Sequence, residues 1–164
     1  MNNQIALYPT SAAPPTWGHA DLMARGAAHF GRLIWVAALN PNKVSLFSVQ
    51  SRLDMMQDYV DYYKLNNVSI CSYEGSIARL AHTEGARVII RGLRGPQDLP
   101  QEMELAQGYR GIKDDLETFC LFADPNLVRV SSSMVRELAR LGESIEAYVL
   151  PEVAKIVYKE LTRH

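Results

Sequence analysis

Leu33-Ile34-Trp35-Val36-Ala37-Ala38-Leu39 is an unbroken run of seven apolar residues, the longest in the chain. A strand with one wet face would alternate polar and apolar side chains, and a bilayer-spanning helix needs about 20 apolar residues. The run therefore predicts a strand covered on both faces, as in parallel sheets. Val88-Ile89-Ile90 has the same character. Shorter strand signals fall at residues 5–8, 68–71 and 118–122, making five.

Helical patterns fill the gaps between them. From Gly18, the residues Leu22, Met23, Ala27 and Phe30 share one face, with Gly31 as the stop signal. Val49, Leu53, Met56, Val60 and Tyr63 mark a second helix, and residues 76–84 a third, stopped at Gly85. Asp98-Leu99-Pro100-Gln101 has the form of a helix start, with an N-cap acid and an early proline. Two more helices follow, one burying Val135, Leu138 and Ala139, the other opened by Pro151 with Val153, Ile156, Val157 and Leu161 inward. Strand and helix in strict alternation predict an α/β fold: a doubly wound, Rossmann-like parallel five-stranded sheet with helices on both faces. Repeats, linkers and low-complexity tracts are absent, so residues 1–164 are expected to form one domain.

Seventeen basic and eighteen acidic side chains leave a net charge of −1, which speaks against nucleic acid as a partner. No membrane segment or secretory signal is legible, and the expected location is cytoplasmic. Cys71 and Cys120 lie in strand-like segments and are expected to be reduced core thiols.

In a doubly wound sheet, ligands bind beyond the carboxyl ends of the strands, so the informative segments are those after each strand. After the first, Thr16-Trp17-Gly18-His19 opens a helix, whose free N–H groups favour an anion. A protonated histidine there would oppose the helix dipole; the alternative is a loop histidine packed on Trp17. After the second strand comes Asn40-Pro41-Asn42-Lys43, whose lysine could equally be solvated surface. After the fourth, Arg91-Gly92-Leu93-Arg94 places two guanidinium groups at the mouth of a buried strand. They need an anionic ligand or salt bridges to Asp98 or Glu102. After the fifth, Val130-Ser131-Ser132-Ser133 precedes Arg136. One serine suffices for an N-cap, whereas three beside an arginine suit phosphates. Together the four segments imply a polyphosphate ligand. The usual dinucleotide and NTPase glycine fingerprints, a Gly-x-Ser-x-Gly elbow and zinc-ligand spacing are all missing.

These residues resemble a known family. Thr16-Trp17-Gly18-His19 matches the Thr-x-Gly-His signature of nucleotidyltransferases. Arg91-Gly92-Leu93-Arg94 and Val130-Ser131-Ser132-Ser133 with Val135-Arg136-Glu137 are similar to the other two signatures of bacterial phosphopantetheine adenylyltransferases. Tyr8-Pro9, Phe47 and Glu102-Met103 also fall where that family has similar residues. The resemblance implies transfer of an adenylyl group from ATP to 4′-phosphopantetheine, with Mg²⁺, giving dephospho-coenzyme A and pyrophosphate in coenzyme A biosynthesis.

It also implies the site. His19, Lys43 and Arg94 would be catalytic, with His19 stabilising charge on the α-phosphate. Ser11, Lys43, Ile77 and Arg91 would bind the acceptor. Ser11, His19, Gly92, Leu93, Arg94, Glu102, Val130, Ser131, Ser132 and Ser133 would bind ATP. No metal ligand among protein side chains is identified, and a homohexamer is implied. The first loop departs from the family's Tyr-Pro-Gly-(Thr/Ser)-Phe-Asp-Pro, reading Tyr8-Pro9-Thr10-Ser11-Ala12-Ala13-Pro14. The alternatives are a related nucleotidyltransferase with another phosphorylated acceptor, such as nicotinate mononucleotide, and a nucleotide-binding homologue without turnover.

Overall fold

Side chains of a strand alternate between faces, and here both faces are apolar. Ala6, Tyr8, Leu33, Trp35, Ala37, Val88 and Ile90 belong to one core cluster, and Leu7, Ile34, Val36 and Ile89 to the other. The computed structural model describes residues 3–42 and 44–162, so Lys43 lies outside the described residues. The strands are β1 (Ile5–Thr10), β2 (Arg32–Leu39), β3 (Val68–Glu74), β4 (Val88–Leu93) and β5 (Glu117–Phe122). All pair in parallel, in the order β3-β2-β1-β4-β5. The chain winds outward in one direction from β1 to β3 and in the other from β4 to β5. The order therefore reverses between β1 and β4, where such sheets open a crevice.

Helices α1 (Trp17–Ala27), α2 (Val49–Tyr63), α5 (Ser132–Arg140) and α6 (Pro151–Leu161) cover one face, and α3 (Ile77–Glu84) and α4 (Leu99–Ile112) belong to the other. Ser48 caps α2 by accepting from the Ser51 N–H at 3.0 Å. Gly85 ends α3 as expected, in the left-handed region at φ 67°, where a side chain would be strained.

Several expected boundaries shift. Helix α1 stops at Ala27, before Phe30 and Gly31, because the Asn67 amide takes the carbonyls of Ala27 and Phe30 at 2.8 and 3.1 Å. Phe30 is buried all the same. The inward face of α2 is carried by Met55, Met56, Tyr59 and Val60, whereas Val49 is exposed. Asp98 stands at the N-cap position of α4 as expected, but after a 3₁₀ turn over Pro96–Asp98, and its carboxylate accepts from the Arg94 N–H at 2.8 Å instead of from the helix. Strand β4 runs on through Arg91, Gly92 and Leu93, so those residues end a strand rather than begin a loop. The expectation of two core thiols holds in part. Both cysteines are free, but Cys71 is half-buried and Cys120 exposed, because β5 is an edge strand that the helices cover only in part.

Candidate active site

The reversal of strand order leaves a cavity of about 1000 Å³ at the carboxyl edge of the sheet. Ser11, His19, Ile77, Arg91, Gly92, Arg94 and Glu102 line it, together with Val130 and the three serines Ser131, Ser132 and Ser133. Residues from four separate strand ends thus meet on one wall system. Leu93 does not line it; its side chain is buried in the sheet.

His19 is the third residue of α1, and its ring is tied to the residue before the helix. The Thr16 backbone N–H donates to His19 Nδ1 at 3.2 Å, and Thr16 Oγ1 lies 2.9 Å from the same nitrogen. A nitrogen that accepts carries no proton, so the neutral ring carries it on Nε2. Burial, and then the positive charge of Arg94, pull the His19 pKa from 6.5 to about 4. The dipole conflict noted above is thereby resolved: the residue is neutral, so nothing opposes the helix N-terminus. Packing on Trp17 does not explain it, since that ring meets Tyr59 and Tyr62.

Both arginines of the β4 segment have carboxylate partners in the chain. Arg91 Nε and Nη2 form a fork on Glu102 at 2.5 and 2.8 Å, and Nη1 reaches the Pro9 carbonyl at 3.3 Å. Burial alone would lower the Arg91 pKa; the hydrogen bonds and charge of Glu102 outweigh it and hold it above the usual value. Arg94 pairs with Asp98 at 3.3 Å but leaves half its side chain exposed. Gly92 sits between them because a Cβ there would lie 2.3 Å from Leu22 Cδ1 of α1. A side chain at that position would force Leu22 to move.

The serines also have partners within the chain. Ser131 caps α5, accepting from the Met134 N–H at 3.2 Å. Ser132 donates to the Pro14 carbonyl at 2.8 Å, and Ser133 accepts from Arg136 at 3.2 Å. The triple serine therefore joins α5 to the loop after β1, which also takes a bond from Arg136 to the Ala13 carbonyl.

Lining residues that escaped the sequence reading include Arg52, Glu74 and Tyr109. Arg52 had a legible signal, since it is a charge on the apolar face of α2. Tyr109 and Glu74 had none, because only the approach of α4 and β3 brings them to the rim. Among the described residues no group of three His, Cys, Asp or Glu side chains could hold a metal.

A parallel sheet with a phosphate-seeking cavity at its switch point and a neutral histidine at a helix start defines the nucleotidyltransferase class. The cytidylyltransferase-like family profile matches residues 7–138. The phosphopantetheine adenylyltransferase of Nostoc punctiforme is 39% identical over 155 residues, covering 94% of this chain and 84% of the relative. That of Aliivibrio fischeri is 34% identical, covering 94% and 96%. The solved nicotinic acid mononucleotide adenylyltransferase of Plasmodium falciparum, complexed with NaAD, superposes with a TM-score of 0.71 at 12% identity, over 96% of each chain. That likeness is one of fold. The chain belongs to the phosphopantetheine adenylyltransferase family of nucleotidyltransferases.

Proposed function

We propose that this chain joins ATP and 4′-phosphopantetheine to give dephospho-coenzyme A and pyrophosphate, as one nucleotidyltransferase domain in the cytoplasm. The observation that carries the reading is the neutral His19, held by Thr16 on the wall of a cavity rich in cations and hydroxyls. The names of the relatives supply the acceptor.

The chemistry asks for what these residues can give. An acceptor phosphate oxygen attacks the α-phosphorus of ATP. A new P–O bond forms there, and the bond from the α-phosphorus to the bridging oxygen breaks, releasing pyrophosphate. The attacking phosphate is already anionic, so no strong base is required, and positioning with charge stabilisation suffices. His19 donates from Nε2–H to the α-phosphate as charge builds on it. Ser11, Lys43 and Arg91 hold the acceptor phosphate, and Ile77 touches its organic arm. Lys43 and Arg94 also stabilise the reacting phosphates. Ser11, Gly92, Leu93, Arg94 and Glu102 contact ATP, Leu93 through its main chain only. Val130, Ser131, Ser132 and Ser133 face the triphosphate with N–H and hydroxyl groups.

Mg²⁺ fits this site as a companion of the nucleotide rather than as a resident of the protein. Asp98 and Glu102, two of the acids on the wall, are committed to Arg94 and Arg91. Bound with the nucleotide, such an ion would supply neutralisation of part of the triphosphate charge, beside the serines and Arg94.

Pyrophosphate release with ATP and a panel of acceptors tests the reading. Turnover with 4′-phosphopantetheine, and little with nicotinate mononucleotide or an alcohol phosphate, is expected. Turnover only with another acceptor would move the chain to the related nucleotidyltransferases, and ATP binding without turnover would mark a nucleotide-binding homologue.

The exposed apolar side chains suit a second copy of this chain as partner. Met103 and Ile112 on α4, and Phe119 and Phe122 on β5, are each half or more exposed. We assign them to a homo-oligomer interface, a hexamer by family resemblance. Light scattering should give six times the 18.4 kDa chain mass, and Phe119→Lys should lower it. A single-chain mass for the unaltered protein would overturn the assignment. No nucleic acid or membrane partner enters the reading; no described helix is long and apolar enough to cross a bilayer.

A further inference from the structure

The buried face of α2 carries one side chain that packing does not call for. Beside Met55, Met56, Tyr59 and Val60 stands Arg52, only 5% exposed. No described carboxylate lies within ion-pair distance of it, although eight such pairs occur elsewhere among the described residues. Its Nη2 donates to the carbonyls of Ser11 and, at 3.0 Å, Ala38, while its buried Nε has no partner. Burying a cation without a counter-charge is costly, and a leucine would fill the space without that cost.

The position of the two carbonyls gives the arginine a purpose. The β1–β2 ladder ends at the pair Thr10↔Ala37. Beyond it β1 gives way to the loop that carries Ser11, while β2 continues through Ala38 and Leu39, paired only with β3, towards the segment that follows it. Ser11 and Ala38 are the next residues on each side, and a single guanidinium group spans them where ladder bonds no longer do. Arg52 also lines the cavity at this end.

We propose that Arg52 is a positioning residue for the acceptor phosphate: by bridging the Ser11 and Ala38 carbonyls it fixes the spacing of the two acceptor loops and keeps an uncompensated positive charge beside them. The proposal rests on the reading that this cavity transfers a nucleotidyl group to a phosphorylated acceptor. The guanidinium plane suits the task, since it fixes the directions of the two Nη2 N–H bonds that the carbonyls accept. Among the described residues, no hydrogen bond joins Arg52 to the β4 and α5 segments that face ATP. Nucleotide binding, which shares only Ser11 with the acceptor loops, should therefore respond to it less than acceptor binding does.

The test uses Arg52→Gln and Arg52→Lys in the full chain. 4′-Phosphopantetheine, inorganic phosphate and ATP are each titrated alone by calorimetry, and steady-state constants are measured for both substrates. For Arg52→Gln, acceptor affinity should fall by about tenfold or more and the acceptor KM rise in step, with a clearly smaller loss of ATP affinity. Arg52→Lys keeps the charge but not the fork, and should fall between. Equal weakening of ATP and acceptor, or a lower thermal midpoint with both affinities intact, would reduce Arg52 to a structural residue and overturn the proposal. If Arg52→Gln does not fold, the ratio of the two affinity losses in Arg52→Lys decides the matter. If the unaltered chain ignores 4′-phosphopantetheine, the reading of the acceptor fails. The inorganic phosphate titrations then still decide the role of Arg52.

Discussion

His19→Ala is expected to lower kcat by about 10²–10³ while leaving ATP affinity nearly intact, the effect of removing one donor aimed at developing charge. The hydrogen bonds from Thr16 hold the ring so that Nε2–H is the donor, and a donor fixed before the reaction costs no reorganisation when charge appears. Equal losses in ATP binding and turnover would show that His19 only binds. The same residue sets a pH dependence. Its pKa is about 4 in the fold and near 6.5 when exposed, so the unfolded chain takes up a proton first as pH falls. Stability from the neutral ring is fully present above about pH 6.5 and is lost as pH drops towards 4. Thermal midpoints of wild type and His19→Gln across that window should therefore converge on acidification. A constant gap would mean that the ring protonates normally.

Arg91→Met should be the most destabilising change in the site. It leaves the Glu102 carboxylate, only 8% exposed, without its two-point partner. Breaking a buried pair on one side costs about 3–5 kcal/mol, far more than an exposed bridge contributes. The Pro9 carbonyl also loses a donor, so the end of β1 should loosen. Because Arg91 is assigned to the acceptor phosphate as well, stability and function must be separated. Replacing both Arg91 and Glu102 by methionine removes the stranded charge, and stability should largely return. Acceptor affinity should not return with it. Urea unfolding gives the first quantity and calorimetry the second. Recovery of both would assign Arg91 to the fold alone, and recovery of neither would show that the pair does not act as a unit.

The loop after β1 is where the chain departs most from its family, and the structure shows what holds it. Ala12 adopts φ 47° and is fully buried, so its small side chain fits a strained backbone in a filled space. The carbonyls of Ser11, Ala13 and Pro14 are taken by Arg52, Arg136 and Ser132, and the Pro15 carbonyl lies 3.5 Å from the Tyr59 hydroxyl. An acid at position 13 is therefore not needed to brace this turn; donors from α2 and α5 do it from outside.

Local pattern determined the layers of this protein. Apolar runs such as residues 33–39 and 88–90 can only be strands covered on both faces, and the alternating helices supply the cover. The placement of His19, Arg91 and the serines at the carboxyl edge follows from that alternation, because Arg91 ends a strand and the others open the helices that follow one. Only the tertiary structure decided which partners those residues have. Pairing of Arg91 with Glu102 rather than Asp98 and the bond from Ser132 to Pro14 depend on how separate elements pack, whereas the tie from Thr16 that fixes the His19 proton is local, across three residues at the start of α1. The carbonyl partners of Arg52 and the exposure of Cys120 were also beyond local reading. A hydrophobic pattern reports which face of an element turns inward. It does not report whether a strand ends at the edge of its sheet, or which two carbonyls a buried guanidinium group will find.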